Sequence, residues 1–397
     1  MTAKDEPAEP AAEPTAESPA EPTAESAAKS AAKPSKAGPD GLMDDLADEP
    51  APESPRRRRR WRRVLVVTVV MLFSLVLLVA GGLYVISDRL ADNVVRIPSV
   101  FAPLDPAERP AKPPGPAGQA ETFLLAGSDS LADDPTTGTD GEGVSLMPGA
   151  QRSDVIMLAR VNAARTAAVV VSIPRDSWVA VPGHGMAKVN AAYSYGGPTL
   201  MVRTVEALTN VRVDHFATID FAGFRAMVDA VGGIDVTVAE RTAFGEIVFE
   251  PGHNHLDGRR ALAYVRQREG LPAGDLSRVQ RQQNALRAFL AKAVSGGLLR
   301  NPVRLYDLLD AVTRSVGVDD TLGNADLRTL AFGMRHLRPG TVTFLTSPVA
   351  GLGREGKQSV VHLDKGRARR LWNAFDNDRI QDYLRGNAGD VLGGNPP

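Results

Sequence analysis

Apolar positions along this chain fall into three regimes. Residues 1–55 show no apolar periodicity; they are Ala, Pro, Glu and Ser, with a near-repeat at Glu13–Ser18 and Glu21–Ser26. Such a segment cannot bury enough apolar surface to offset its ordering entropy, so it reads as disordered. Val64–Ile86 is the opposite, 23 residues without one charge. At about 1.5 Å per residue in a helix, that run crosses a hydrocarbon core of roughly 30 Å. Beyond it, short apolar runs with β-branched residues alternate with amphipathic stretches.

The alternation predicts strands at 122–126, 155–161, 167–173, 213–220, 234–238 and 342–346. It predicts helices at 198–208, 221–231, 256–264, 276–294, 302–315, 323–337 and 364–375, with Val265–Arg268 extended. Strands interleaved with helices argue for an α/β or α+β domain, a mixed sheet covered by helices. The expected organisation is a tail at 1–63, a membrane span at 64–86, a Pro-rich linker at 87–118, the folded domain at 119–385 and a loose tail at 386–397.

Charge changes the picture at the N-terminus. The net charge of -1 conceals segregation: 13 acidic and 4 basic residues lie within 1–55, then seven arginines occupy 56–60, 62 and 63. The arginines abut the N-terminal side of the apolar run, so the positive-inside rule places the tail in the cytoplasm and everything after Ile86 outside. A cleaved signal peptide would have a shorter apolar core, a shorter leader and a small-x-small site, none of which is here. The same arginines against a membrane suit anionic lipid better than nucleic acid. There is no cysteine, which excludes disulfides and thiolate metal sites.

Candidate chemistry collects at predicted strand ends. The run Val169–Ile173 stops at Pro174 and delivers Arg175-Asp176; Arg152-Ser153-Asp154 opens the strand before it, and Lys188 follows a Pro-Gly-His-Gly turn. Asp129 ends the first strand. Arg266 and Arg268, two apart on an extended segment, would point the same way. Asp275, Arg278, Arg281 and Gln282 would form one face of the following helix. Many cations facing a few carboxylates suit a diphosphate carrying Mg²⁺, the arginine forks taking phosphate oxygens and the carboxylates the metal. Any single arginine reads equally well as a paired surface charge. His253-x-His255 lacks a third zinc ligand and reads as a turn; Ser128 and Ser130 lack a nucleophile elbow. No Walker A or dinucleotide fingerprint follows a strand, so neither ATP nor NAD use is supported.

These words resemble the LytR-CpsA-Psr (LCP) family: Phe123–Asp129, Arg152-Ser-Asp154, Ser172–Asp176, Lys188–Ala192 with Tyr195-Gly-Gly197, Asp214–Phe216, Asp220–Phe224, Val231-Gly-Gly233, Leu256-Asp-Gly258, Ala263–Arg268, and Asp275 through Gln283. They occur in family order across roughly residues 120–295. The resemblance implies an extracytoplasmic phosphotransferase that moves a glycopolymer from a polyprenyl-diphosphate carrier onto peptidoglycan with Mg²⁺. By matching position, Asp129 and Asp154 would hold magnesium, and Arg152, Arg175, Lys188, Arg266, Arg268, Arg278, Arg281 and Gln282 would grip the diphosphate. Asp129, Asp154 and Arg175 would be the catalytic set, and an apolar pocket would take the prenyl tail. Leu131 stands where relatives often carry an arginine, and the extra C-terminal domain of some relatives has no counterpart here. Two other functions are kept open: a prenyl-diphosphate binder or slow hydrolase with no acceptor, and a membrane-bound transcriptional regulator.

Overall fold

A computed structural model describes residues 55–128, 153–294, 298 and 300–394, with side chains from Leu65 onward. The chain divides into two compact units, Met1–Thr68 and Val69–Pro397. In the first, the described part is the beginning of helix α1 (Pro55–Asp92). Within α1, Leu65–Asp92 is long and apolar enough to cross a membrane, and its large side chains from Leu65 to Ile86 are exposed.

The second unit is built on one mixed sheet. Its strands are β1 (Val95–Ile97), β2 (Glu121–Ser128), β3 (Ser153–Val161), β4 (Ala168–Ser172), β7 (His215–Asp220), β12 (Val316–Asp319) and β13 (Val342–Thr346). Their order is β1-β12-β7-β2-β3-β4-β13. The β1/β12, β2/β7 and β4/β13 pairs are parallel and the rest antiparallel. Four two-stranded antiparallel sheets are appended: β5 (Trp178–Val181) with β6 (Gly185–Lys188), β8 (Ile234–Val238) with β11 (Gly252–Leu256), β9 (Thr242–Phe244) with β10 (Ile247–Phe249), and β14 (Val349–Glu355) with β15 (Gln358–Leu363).

Because successive strand residues point to opposite faces, β2 and β3 supply two apolar surfaces. Leu124, Ala126, Ile156 and Leu158 face α2 (Ala191–Thr209) and α8 (Lys365–Asp376), packing against Met201, Val205, Leu371 and Phe375. Met157, with Leu125 and Val155, faces α5 (Asp275–Ala293) and meets Leu286 and Leu290. Covering both faces explains why the central strands read as continuous apolar runs. A second core joins α3 (Phe221–Ala230), α4 (Gly258–Arg266), α5 and α6 (Pro302–Ser315) to the β8/β11 pair through Val228, Tyr264, Phe289 and Leu308. Helix starts are fixed locally: Asp220 caps α3 through Gly223 N, and Asp257 caps α4 through Arg260 N. Helix α7 (Asn324–Gly333) lies beyond β12. The fold is mixed α/β with helices on both faces of the sheet.

Three local expectations need correction. The segment expected as a spacer carries β1 and sends Ile97, Val100 and Leu104 into the core; Arg109 binds Glu206 at 2.7 Å. Its prolines suggested a linker, but its apolar residues have somewhere to go. His253 and His255 lie on strand β11, not in a turn, opposite Thr237 and Asp235. Val265 and Arg266 complete α4, and the extended backbone begins only at Gln267 (φ -61, ψ 130).

Candidate functional site

The site forms where three elements end together. β3 begins with a bulge: Gly127 pairs with Val155 and Ser128 with Ser153, which leaves Asp154 as the extra residue. A bulge re-aims its side chain, and here it sends Asp154 toward the end of β4. Gly127 permits this, since a Cβ there would lie 2.7 Å from the Val155 side chain. After β4, Ile173-Pro174 carry the chain to Arg175-Asp176. That loop is held by Ser177 N to Pro174 O (3.0 Å), Asn190 N to Arg175 O (3.2 Å) and Val361 N to Asp176 O (2.9 Å).

Helix α5 supplies the third wall. At about 100° per residue, Asp275, Gln282 and Arg278 fall within roughly 60° of arc, with Arg281 another 60° around. The structure follows this spacing. Arg278 and Gln282 line a polar cavity of about 400 Å³ together with Asp154, Arg175, Arg266 and Arg268. Arg281 does not; it is wholly buried, donating to Gln267 Oε1 at 2.7 Å and Thr242 Oγ1 at 2.8 Å, with Tyr264 4.5 Å from its guanidinium. The expectation that Arg281 grips phosphate is therefore corrected: it is a bolt between α5, α4 and the β9/β10 hairpin. Gln283 is another, bonding Ser172 Oγ at 2.8 Å and Thr346 Oγ1 at 3.2 Å, which fixes α5 against β4 and β13.

The charges form one network. Arg175 donates to Asp154 and lies 3.5 Å from Asp275 and 3.6 Å from Asp176. Lys188 reaches Asp176 at 2.8 Å. Arg278 approaches Asp275 to 2.5 Å and Asp154 to 4.0 Å. Burial pushes the Arg175 pKa down, but Asp154 and Asp275 outweigh it and the net shift is upward. Burial lowers Arg278 and raises Asp275, the latter only partly offset by Arg278 and Arg175. Alignment is incomplete: among the described residues the buried Arg175 Nε and Arg278 Nε have no hydrogen-bond partner, and Arg278 Nη2 meets Asp275 at 2.5 Å without hydrogen-bond geometry. Buried unmatched donors converging on one cavity are what a polyanion would satisfy. Asp176 and Asp275, absent from the expected catalytic set, complete this network; their adjacency to Arg175 and Arg278 in sequence was the available signal.

The polar cavity adjoins an apolar one of about 230 Å³, and the two share Phe221, Val265 and Gln282 as a common wall. Leu125, Met157, Phe224, Met227, Leu286 and Phe289 line the apolar part. Arg266 lies over the Phe221 ring at 4.9 Å, on the shared wall. Asp129 and Arg152 lie outside the described residues, as does Leu131. Among the described residues no group of three histidines or carboxylates is placed to hold an ion. Mg²⁺ ordinarily binds through one or two carboxylates plus water and phosphate, and of the expected metal pair Asp154 is the one among the described residues, on the wall of the polar cavity.

A family model described as the LytR_cpsA_psr family matches residues 106–377. The chain belongs to the LytR_cpsA_psr family. Among its relatives, the cell wall biosynthesis protein LcpA of Corynebacterium glutamicum is 34% identical over 282 residues, 62% of this chain and 54% of LcpA. The chain thus spans about half the length of that relative. The polyisoprenyl-teichoic acid–peptidoglycan teichoic acid transferase TagU of Oceanobacillus iheyensis is 31% identical over 245 residues, 60% of this chain and 72% of TagU. The solved structure of TagT bound to LI-WTA is 25% identical, with a TM-score of 0.52, and covers 68% of this chain and 96% of TagT.

Proposed function

We propose that the folded domain transfers a glycopolymer from a polyprenyl-diphosphate carrier onto peptidoglycan, on the outer side of the membrane and with Mg²⁺. The observation that carries this reading is the pair of adjoining cavities: a polar chamber ringed by Arg175, Arg266, Arg268, Arg278 and Gln282, sharing a wall of Phe221, Val265 and Gln282 with an apolar one. A ligand with a charged head and a greasy tail fits such a site, and a plain phosphate or plain lipid would leave half of it unused. The transferase name of TagU and the bound LI-WTA of TagT point the same way. So do the seven arginines before the apolar helix, which favour a cytoplasmic N-terminus.

The reaction is a substitution at phosphorus. An acceptor hydroxyl oxygen bonds to the phosphorus carrying the glycan, the bridging P–O bond to the prenyl phosphate breaks, and the hydroxyl proton is lost to a base. Prenyl monophosphate leaves with the electron pair. Arg175 and Arg278, already desolvated, hold the two phosphoryl groups and offset the charge growing on the leaving oxygen. Asp154, Asp176 and Asp275 keep those guanidiniums in place before the donor arrives. The apolar chamber fixes the tail and so the diphosphate's position, which is most of the catalysis such a transfer needs. Asp154, with Asp129 beside it in the family pattern, would hold Mg²⁺, which would neutralise phosphate charge when bound.

The test is transfer of a labelled prenyl-diphosphate glycan to peptidoglycan by the detergent-solubilised chain with Mg²⁺. Loss of transfer in Asp154→Ala and Arg175→Ala supports the reading; intact transfer in both refutes it. Phosphate release with no label on peptidoglycan would favour the binder or hydrolase instead.

A further inference from the structure

The β5/β6 hairpin rises from the phosphate end of the site and has two unlike faces. Val179, Val181 and Ala187 are buried. Trp178 pairs with Lys188 and Ala180 with Met186, so these four share the outward face. Met186 is 53% exposed. At the hairpin turn His184 stacks on Tyr195, centroids 4.8 Å apart and planes at 23°. Tyr195 is itself 49% exposed. It ends the first turn of α2, where Gly196 and Gly197 leave helical geometry; Gly197 (φ 62) takes a backbone that L side chains avoid. The break fixes Tyr195 at the hairpin tip before Pro198 starts the helix again.

We propose that Trp178, Met186, His184 and Tyr195 form a stacking platform for the first sugars of the donor's glycan. The proposal rests on the transferase reading and adds where the glycan lies. Three observations carry it. First, the face is continuous with the phosphate site: Lys188 stands at its base, bound to Asp176, whose carboxylate lies 3.6 Å from Arg175. Second, no residue of the hairpin lines the apolar cavity, so the hairpin is not part of the prenyl chamber's wall. A glycan bonded to the phosphate at Arg175 leaves on the side away from the tail, and this face adjoins Arg175 through Asp176 and Lys188. Third, the chemistry matches. Apolar ring faces and a thioether with a phenol, an imidazole and an ammonium at their edges complement a pyranose, whose C–H face is apolar and whose rim carries hydroxyls. From Lys188 to His184 the strand covers roughly 13 Å, at about 3.3 Å per residue, room for more than one sugar. The donor glycan is the occupant because it is covalently tied to the phosphate at the platform's base.

The experiment compares two probes on the full chain in detergent: a short prenyl diphosphate, and the same compound with a disaccharide on its distal phosphate. The wild type binds the glycosylated probe more tightly. Tyr195→Ala and Met186→Ser each remove most of that advantage, roughly fivefold to tenfold, with the bare probe unchanged. Tyr195→Phe keeps it. Equal weakening of both probes, or no change in either, overturns the proposal. So does a slower reaction with a peptidoglycan fragment at unchanged donor binding, which would assign the face to the acceptor. If the bare probe fails to bind the wild type, the transferase reading itself falls, and the platform with it.

Discussion

Replacing Arg281 by alanine separates a positioning role from a substrate-gripping one. The guanidinium is wholly buried, with two charge-assisted hydrogen bonds, to Gln267 and Thr242, and close approaches to Tyr264 at 4.5 Å and Phe249 at 5.7 Å. Each such bond contributes about 1.5–3 kcal/mol, and a desolvated cation–π contact about 2 kcal/mol. Against this stands the desolvation of a buried cation, several kcal/mol, and burial does lower the Arg281 pKa. The balance is a net loss of about 2–4 kcal/mol on truncation, because Gln267 Oε1 is left buried and unmatched. For a domain of this size that lowers the melting midpoint by roughly 4–8 °C. The assay is thermal unfolding of the full chain in detergent, alongside pyrophosphate binding well below the midpoint. The expected result is the lower midpoint with pyrophosphate affinity within about twofold of wild type, a shift under 0.5 kcal/mol. An unchanged midpoint with pyrophosphate binding abolished would refute the reasoning and return Arg281 to the phosphate site.

Gly233→Ala destabilises by about 2 kcal/mol or more, since φ is +86 and the new Cβ would meet His255 at 2.6 Å and Leu256 O at 2.9 Å; Gly232→Ala, at φ +77 in open space, costs about 1 kcal/mol. Parallel melts check the order. Arg160 is 4% exposed and holds Asp378 at 2.9 Å and Thr122 at 3.0 Å, tying the end of α8 to β2 and β3, so Arg160→Met costs about 3–5 kcal/mol in denaturant titration. Asp275 has its pKa raised by burial above the unfolded value. Between those two values the folded state holds more protons, so stability grows as pH falls through that window and declines as it rises. Denaturant midpoints measured across the acidic range will lose, in Asp275→Asn, a part of the pH dependence with that sign, as the difference between variant and wild type shows.

The sheet strands with long β-branched runs were legible because two-faced burial makes them continuously apolar, as in Val169–Ile173. Short elements were not: β12 is Val-Gly-Val-Asp, and β14 carries Gly351 and Gly353, so neither offers a periodicity to read. Helix α5 was legible, but its polar face was read too broadly. Arg278 and Arg281 are both basic and three apart, and only packing sends one to the cavity and the other under Tyr264. Lys188 and Asp176 share the network because a hairpin folds one back on the other, a pairing that spacing alone does not reveal. Arg266 and Arg268 do line the cavity together, although Arg266 ends a helix rather than lying on a strand.

The central claim is that the polar and apolar chambers are one site. Titrating the full chain in detergent with prenyl diphosphate, pyrophosphate and prenyl alcohol tests it, using Arg278→Ala and Leu286→Trp. The account predicts that either substitution weakens prenyl diphosphate by roughly tenfold or more, while pyrophosphate responds only to the first and the alcohol only to the second. Prenyl diphosphate binding that ignores Leu286→Trp while still losing to Arg278→Ala would contradict it.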